Sequence, residues 1–151
     1  MSAVNRSEGR RHKFAAEMLE RLGRDLVVPW PVLVEVDLLR RGRGHSDAAM
    51  TFSEACRDGY HRLEHCGTED LSYALALGAR YSDSGVDLPD LSVMSIARRL
   101  GGSILTWDFR HFRSVVPRRG TSWKLAVDEH QLSRPVRLKA LSAQRSGGVG
   151  R

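Results

Sequence analysis

The chain has 151 residues, 41% of them hydrophobic, with a net charge of +6 and a pI near 10. That length supports one domain with a core of its own, and no apolar run approaches the roughly 20 residues that a membrane helix needs, so no membrane partner is expected. The start MSAVNRSEGRRHK is basic but lacks the apolar stretch of a secretory signal, and Cys56 and Cys66 form neither a disulfide framework nor a CxxC pair, which points to a reducing, cytoplasmic setting.

The positive charge favours a polyanionic partner. The cations are nearly all Arg, with Lys only at 13, 124 and 139. A GC-rich genome produces the same bias, so charge alone does not decide for nucleic acid.

In chain order, residues 11–23 (RHKFAAEMLERLG) have the helical spacing Phe14, Met18, Leu19, Leu22, with Gly23 as a stop. Leu26-Val27-Val28 is a short buried strand ended by Pro29. A helix is expected over 31–41, with Pro31 in its first turn and Gly42 and Gly44 after it. Residues 46–57 form another helix. Tyr60 to Cys66, between Gly59 and Gly67, is expected to be extended. Helices follow over 68–82 and 88–100, the latter with Leu91, Met94, Ile96, Ala97 and Leu100 as apolar positions. Ser103 to Trp107 is a predicted strand, with Val115-Val116 and Trp123 to Val127 as weaker ones. Residues 139–151 are small, polar and Gly-rich, and are expected to be a flexible basic tail. Short strands alternating with helices predict an α/β fold with a mostly parallel sheet and right-handed crossovers. Ligands of such sheets bind outside the carboxyl ends of the strands.

Three acids fall where that rule places a site. Glu35 sits inside the apolar run PVLVEVDLL, where an acid is costly unless paired, protonated or bound to a cation; the alternative is a helix with Glu35 and Asp37 on a solvated face. Asp90 opens a helix, where Asp87 can be the N-cap and Asp90 a favourable first-turn charge. Asp108 ends the predicted strand 103–107, and its alternative role is to cap the turn Phe109 to Phe112. Thr106 can bond a ligand or a metal-bound water, or be a satisfied strand residue. Carboxylates with few histidines suit Mg²⁺ or Mn²⁺ rather than zinc. A hydrated divalent ion in a basic surround suits phosphodiester hydrolysis.

The segments LVVPWPVLVEVDLL, TEDLSYALALGARYSDSGVDLPDLSVMSIARRLGG and SILTWDFRHFRSVVP lie in the order found in PIN-domain ribonucleases, and the chain resembles that family, in particular VapC-like toxins of bacterial toxin–antitoxin systems. The likeness covers about residues 11–127. Its most specific block is the Thr-x-Asp-x-x-x-Phe pattern of Thr106, Asp108 and Phe112. The resemblance implies a three-layer PIN-like fold over residues 1–138 and a Mg²⁺- or Mn²⁺-dependent endoribonuclease acting on RNA. It also implies a cognate antitoxin and a homodimer. By position it makes Glu35, Asp90 and Asp108 the metal ligands, with Thr106 the hydroxyl residue beside them. Arg110 and His111 match commonly basic positions and carry no catalytic role in this reading.

One departure stands out. The family begins with an apolar strand ending in Asp, and here residues 1–13 hold neither an apolar run nor an Asp, the first being Asp25. The segment is read as the loop that follows the absent first strand. Two explanations compete: a start codon placed too far downstream, or a gene that has lost the strand and with it full activity. Lacking a central strand, a sheet exposes unpaired backbone groups and loses a layer of core. The expectation is therefore a weakly active or inactive chain.

Two rival functions remain. The segment HRLEH (61–65) matches the HxxEH of zinc peptidases. That motif needs a helix, which sets its histidines about 6 Å apart on one face; in a strand they are roughly 13 Å apart. The other rival is a degenerate, non-catalytic PIN domain that binds an antitoxin or RNA, with Arg10, Arg11, Arg40, Arg41, Arg43, Arg110, Arg113, Arg118 and Arg119 available for phosphate.

Overall fold

The computed structural model describes residues 3–42 and 46–128, with side chains left aside at 3–11, 41 and 46. The expected tail, 139–151, lies outside the described residues, as do Arg43 and Gly44. Among the described residues the protein is a mixed α/β chain in which helix predominates: six α-helices and one two-stranded parallel sheet.

Helix α1 runs Ala3–Leu22 and ends at Gly23, whose φ of +47° starts the 3₁₀ turn Gly23–Asp25. This corrects the reading of residues 3–10 as loop. Residues 3–10 contain no proline, and although Val4, Asn5, Ser7 and Gly9 are weak helix formers, no strict breaker stops the helix from extending back from the Phe14 stripe. Strand β1 (Val27–Pro29) pairs in parallel with β2 (Arg62–Glu64), setting Val28 opposite Leu63. Pro29 donates nothing to the ladder and stands at the strand's last position, where helix α2 (Trp30–Gly42) begins. Helix α3 (Ser46–Arg57) leads back to β2.

Helices α4 (Thr68–Arg80) and α5 (Leu88–Leu100) pack closely against each other. Ala74 and Leu77 of α4 meet Leu91 and Met94 of α5 in the largest core cluster, which also takes in Ile104, Phe112 and Val115. The approach is close because Gly78 has no Cβ; one there would lie 2.9 Å from Leu91 Cδ1. Helix α5 starts on the Asp87 cap with Pro89 in its first turn and stops at Gly101, which takes the left-handed conformation (φ +65°).

The predicted strand 103–107 is corrected. Only Ile104 pairs, as an isolated parallel bridge to Leu125, with Ile104 N–H donating to Lys124 O (2.8 Å) and Ala126 N–H donating to Ile104 O (2.8 Å). The composition of ILTW suits a strand, but a strand also needs a neighbour along its length, and among the described residues Leu105 to Trp107 have no ladder partner. The candidates at 115–116 and 123–127 likewise reduce to Leu125. Helix α6 (Phe109–Ser114) is the last helix among the described residues.

Two smaller cores flank the first. Phe14 of α1, Phe109 and Val127 form one, with Trp107 edge-on to Phe14 at 6.0 Å between ring centroids. Val28, Leu33 and Cys56 form the other, beneath α2, α3 and the sheet. No described helix is long and apolar enough to cross a membrane.

Candidate functional site

The start of α5 is held by two acids in succession. Asp87 caps the helix by accepting from the Asp90 N–H (3.1 Å). The Asp90 carboxylate is thereby freed from capping and turns toward α6, where its Oδ2 lies 3.2 Å from His111 Nδ1. Burial is the main influence on its proton affinity and pushes the carboxyl above its ordinary value. The His111 hydrogen bond and charge pull the other way, and the charges of Asp87 and Asp108 add to the upward push.

The segment before α6 is built by short-range hydrogen bonds. Thr106 Oγ1 accepts from the Asp108 N–H (3.0 Å), and Asp108 Oδ1 accepts from the His111 N–H (3.1 Å) as the N-cap of α6. The second Asp108 oxygen lies 3.1 Å from His111 Nδ1. One imidazole nitrogen therefore stands within hydrogen-bond reach of two carboxylates from different elements. His111 is the residue that sequence reading left without a role. Its i, i+3 spacing from Asp108 was visible, but its contact with Asp90, 21 residues away, was not.

Glu35 lies partly buried on α2, which packs against α5. Its carboxyl is pushed above the ordinary glutamate range, first by burial and then by the charges of Asp87 and Asp90. The expected acids thus form one electrostatic neighbourhood: Glu35 feels Asp90, and Asp90 feels Asp108. Thr106 acts on this neighbourhood through the Asp108 backbone, and the Trp107 indole N–H between them is buried without an acceptor among the described residues.

Among the described residues no three His, Cys, Asp or Glu side chains stand ready to grip a metal ion together. The donor set nevertheless suits Mg²⁺. Two carboxylate oxygens converge on the point that His111 Nδ1 occupies, and Mg²⁺ keeps several waters and is commonly held by one or two carboxylates. Asp90 and Asp108 are the residues that would hold it, with Glu35 beside them.

The chain matches no family model, and no curated protein matches it. The functional reading therefore rests on its own residues.

Two other acid clusters resolve differently. HRLEH is extended through β2, as expected, so the helical geometry of a zinc HxxEH motif does not arise. His61 is buried with Nδ1 donating to Gly23 O (2.9 Å), His65 stacks on Trp30 at 5.7 Å, and Glu64 pairs with Arg62 (2.8 Å) and Arg99 (3.0 Å). Asp70, buried in α4, accepts from Arg99 Nε (3.1 Å), Ser95 Oγ (3.1 Å) and the Gly67 N–H (3.2 Å). Burial alone would raise its carboxyl, but these bonds and the Arg99 charge outweigh it and hold the group below its ordinary value. That network is structural. It ties α4 to α5 and to β2.

Of the basic residues singled out, Arg113 lies over the Phe109 ring at 5.1 Å. Arg10, Arg11 and Arg41 have no described side chains.

Proposed function

We propose that the protein is a Mg²⁺- or Mn²⁺-dependent endoribonuclease of the PIN type, with the three-layer arrangement of that family, acting in the cytoplasm as the toxin of a toxin–antitoxin pair. The observation that carries the reading is the convergence of Asp90 and Asp108 on a single point at His111 Nδ1, with Glu35 in electrostatic contact. Their order along the chain and the Thr106-x-Asp108 turn support it.

The bound ion would supply a water of lowered pKa and stabilise charge on the leaving oxygen of the phosphodiester. Asp90 and Asp108 would hold it. Thr106 fixes Asp108 through the Asp108 N–H, and the α6 cap fixes its carboxylate. Glu35, whose carboxyl binds a proton more tightly than an ordinary glutamate, is suited to accept the proton of the attacking water. In the metal-free protein the His111 N–H bridges the two acids and offsets part of their repulsion.

The apolar side chains Trp30, Val34 and Leu38 recur every four residues along α2 and are exposed, which supports a protein partner, either an antitoxin segment or a second copy of the chain. A second reading, a non-catalytic binding module of the same fold, is favoured by the same exposed α2 stripe and by the arginine-rich composition, which serve binding without a metal.

Cleavage of single-stranded RNA by the purified chain separates the two. The expected result is cleavage in Mg²⁺ or Mn²⁺ that is lost in EDTA and lost in Asp90→Asn. RNA binding that weakens with salt, without any cleavage by the wild type in either metal, would replace the enzyme with the binding module.

A further inference from the structure

At the far end of α5 from Asp90, a second site has the opposite charge. A pocket of about 350 Å³ is lined by Tyr73, Arg98, Pro117, Arg118 and Thr121. Arg98 lies eight residues beyond Asp90, about 12 Å along the helix axis. Its guanidinium stacks on the Tyr73 ring, 4.4 Å from the centroid. Arg80 reaches the same loop, donating from Nη2 to Pro117 O (3.4 Å).

Three features mark this pocket as more than a basic surface. Among the described residues no carboxylate pairs with Arg80, Arg98 or Arg118, whereas the neighbouring Arg99 is engaged by Asp70 and Glu64. The Tyr73 hydroxyl is buried and has no hydrogen-bond partner among the described residues. The wall formed by 115–121 is also held in place. Trp123 Nε1 donates to Val115 O (2.7 Å) and Tyr81 OH to Val116 O (3.4 Å), while Thr121 Oγ1 accepts from the Arg118 N–H (3.0 Å) and donates to Arg118 O (2.8 Å).

We propose that this pocket binds a phosphoryl group through Arg98 and Arg118. Guanidinium forks match the paired oxygens of a phosphate, and a tetrahedral anion brings more acceptors than a carboxylate to a site with no acid among its described lining residues. The volume is that of a small-ligand site. The phosphoryl group can come from a free nucleotide or from the backbone of a nucleic-acid strand. The inference does not depend on the acid cluster.

The test is calorimetric titration of the full chain in EDTA at low salt, with adenosine 5′-monophosphate in one arm and a short single-stranded RNA in the other. Binding of either probe is expected to weaken ~10-fold or more in Arg98→Gln/Arg118→Gln, since two charge-assisted bonds are removed. The charge-matched control Arg24→Gln/Arg57→Gln changes two exposed arginines elsewhere and should bind as wild type. Mononucleotide binding identifies a nucleotide site; RNA binding alone, lost in the pocket variant, identifies a strand contact. The proposal is overturned if neither probe binds, or if the control variant weakens binding as much as the pocket variant does.

Discussion

Replacing Asp90 by Asn separates the fold's interest from the site's. The Asp90 side chain is 27% exposed, so its charge is largely withdrawn from water, and it faces further negative charge from Asp87 and Asp108. Neutralising it removes the burial penalty and that repulsion, and weakens rather than deletes the bond to His111. The net effect at neutral pH is a gain of about 1 kcal/mol, in the range of other changes that relieve strain at a functional site. For a chain of this length that raises Tm by about 2–4 °C. The pH dependence has a definite sign. Asp90 has a raised folded pKa, so the folded state binds its proton more tightly than the unfolded chain. Wild-type stability is therefore greater below the ordinary carboxylate pKa and declines as pH rises through the folded value, while the variant lacks this decline. The two melting curves should converge in acid and part toward neutrality. Mg²⁺ at about ten times its Kd should then add about 1.4 kcal/mol to the wild type and nothing to Asp90→Asn. The assay is thermal unfolding in EDTA and in Mg²⁺ across that pH range. A variant less stable than wild type at neutral pH in EDTA, or equally stabilised by Mg²⁺, would refute the reasoning.

Asp70→Asn should act in the opposite direction, losing about 2 kcal/mol at neutral pH in urea unfolding because a buried carboxylate with several donors becomes an amide. Since the Asp70 carboxyl is held below its ordinary value, its contribution is present above the unfolded pKa and lost as pH falls through the folded one, so the deficit should shrink in strong acid; a deficit independent of pH refutes the assignment. Leu38→Glu, at a side chain 66% exposed, should change stability by less than about 0.5 kcal/mol. Light scattering should show a dimeric wild type and a monomeric variant, and a monomeric wild type removes the α2 stripe as a self-association surface.

The helices were legible where their ends carry their own chemistry. Asp87, Pro89 and Gly101 bracket α5, and residues 88–100 are helical as the sequence indicates. The cap role of Asp108 was also visible, since its partner is three residues away; Thr106 was expected to be a strand or ligand-binding residue, and instead its hydroxyl accepts from the Asp108 N–H. What could not be read is non-local. Whether Leu105 to Trp107 pair depends on a neighbouring strand and not on their own composition. The His111 bridge to Asp90 and the Arg99 bond to Asp70 span 21 and 29 residues, and helix or strand periodicity carries no information about such contacts. The start of α1 was misread for another reason: a resemblance supplied a loop there, although the residues hold no proline to break a helix.

The division of the core bears on how the molecule opens: the clusters around Met94 and Phe14 both pack against Leu125, whereas the cluster around Val28 lies apart from them. Cooperative unfolding units follow continuous packing, and here Val28, Leu33 and Cys56 share no cluster with the side chains around Met94. Amide protons in β1, α2 and α3 should accordingly exchange as one group, ahead of α4 and α5. Glu35 belongs to the first group, and Asp90 and Asp108 to the part that stays closed. A sub-global fluctuation of that kind would withdraw one acid while the His111-bridged pair remained intact, so that a bound cation should slow exchange in α2, and conditions that speed that exchange should lower cation occupancy.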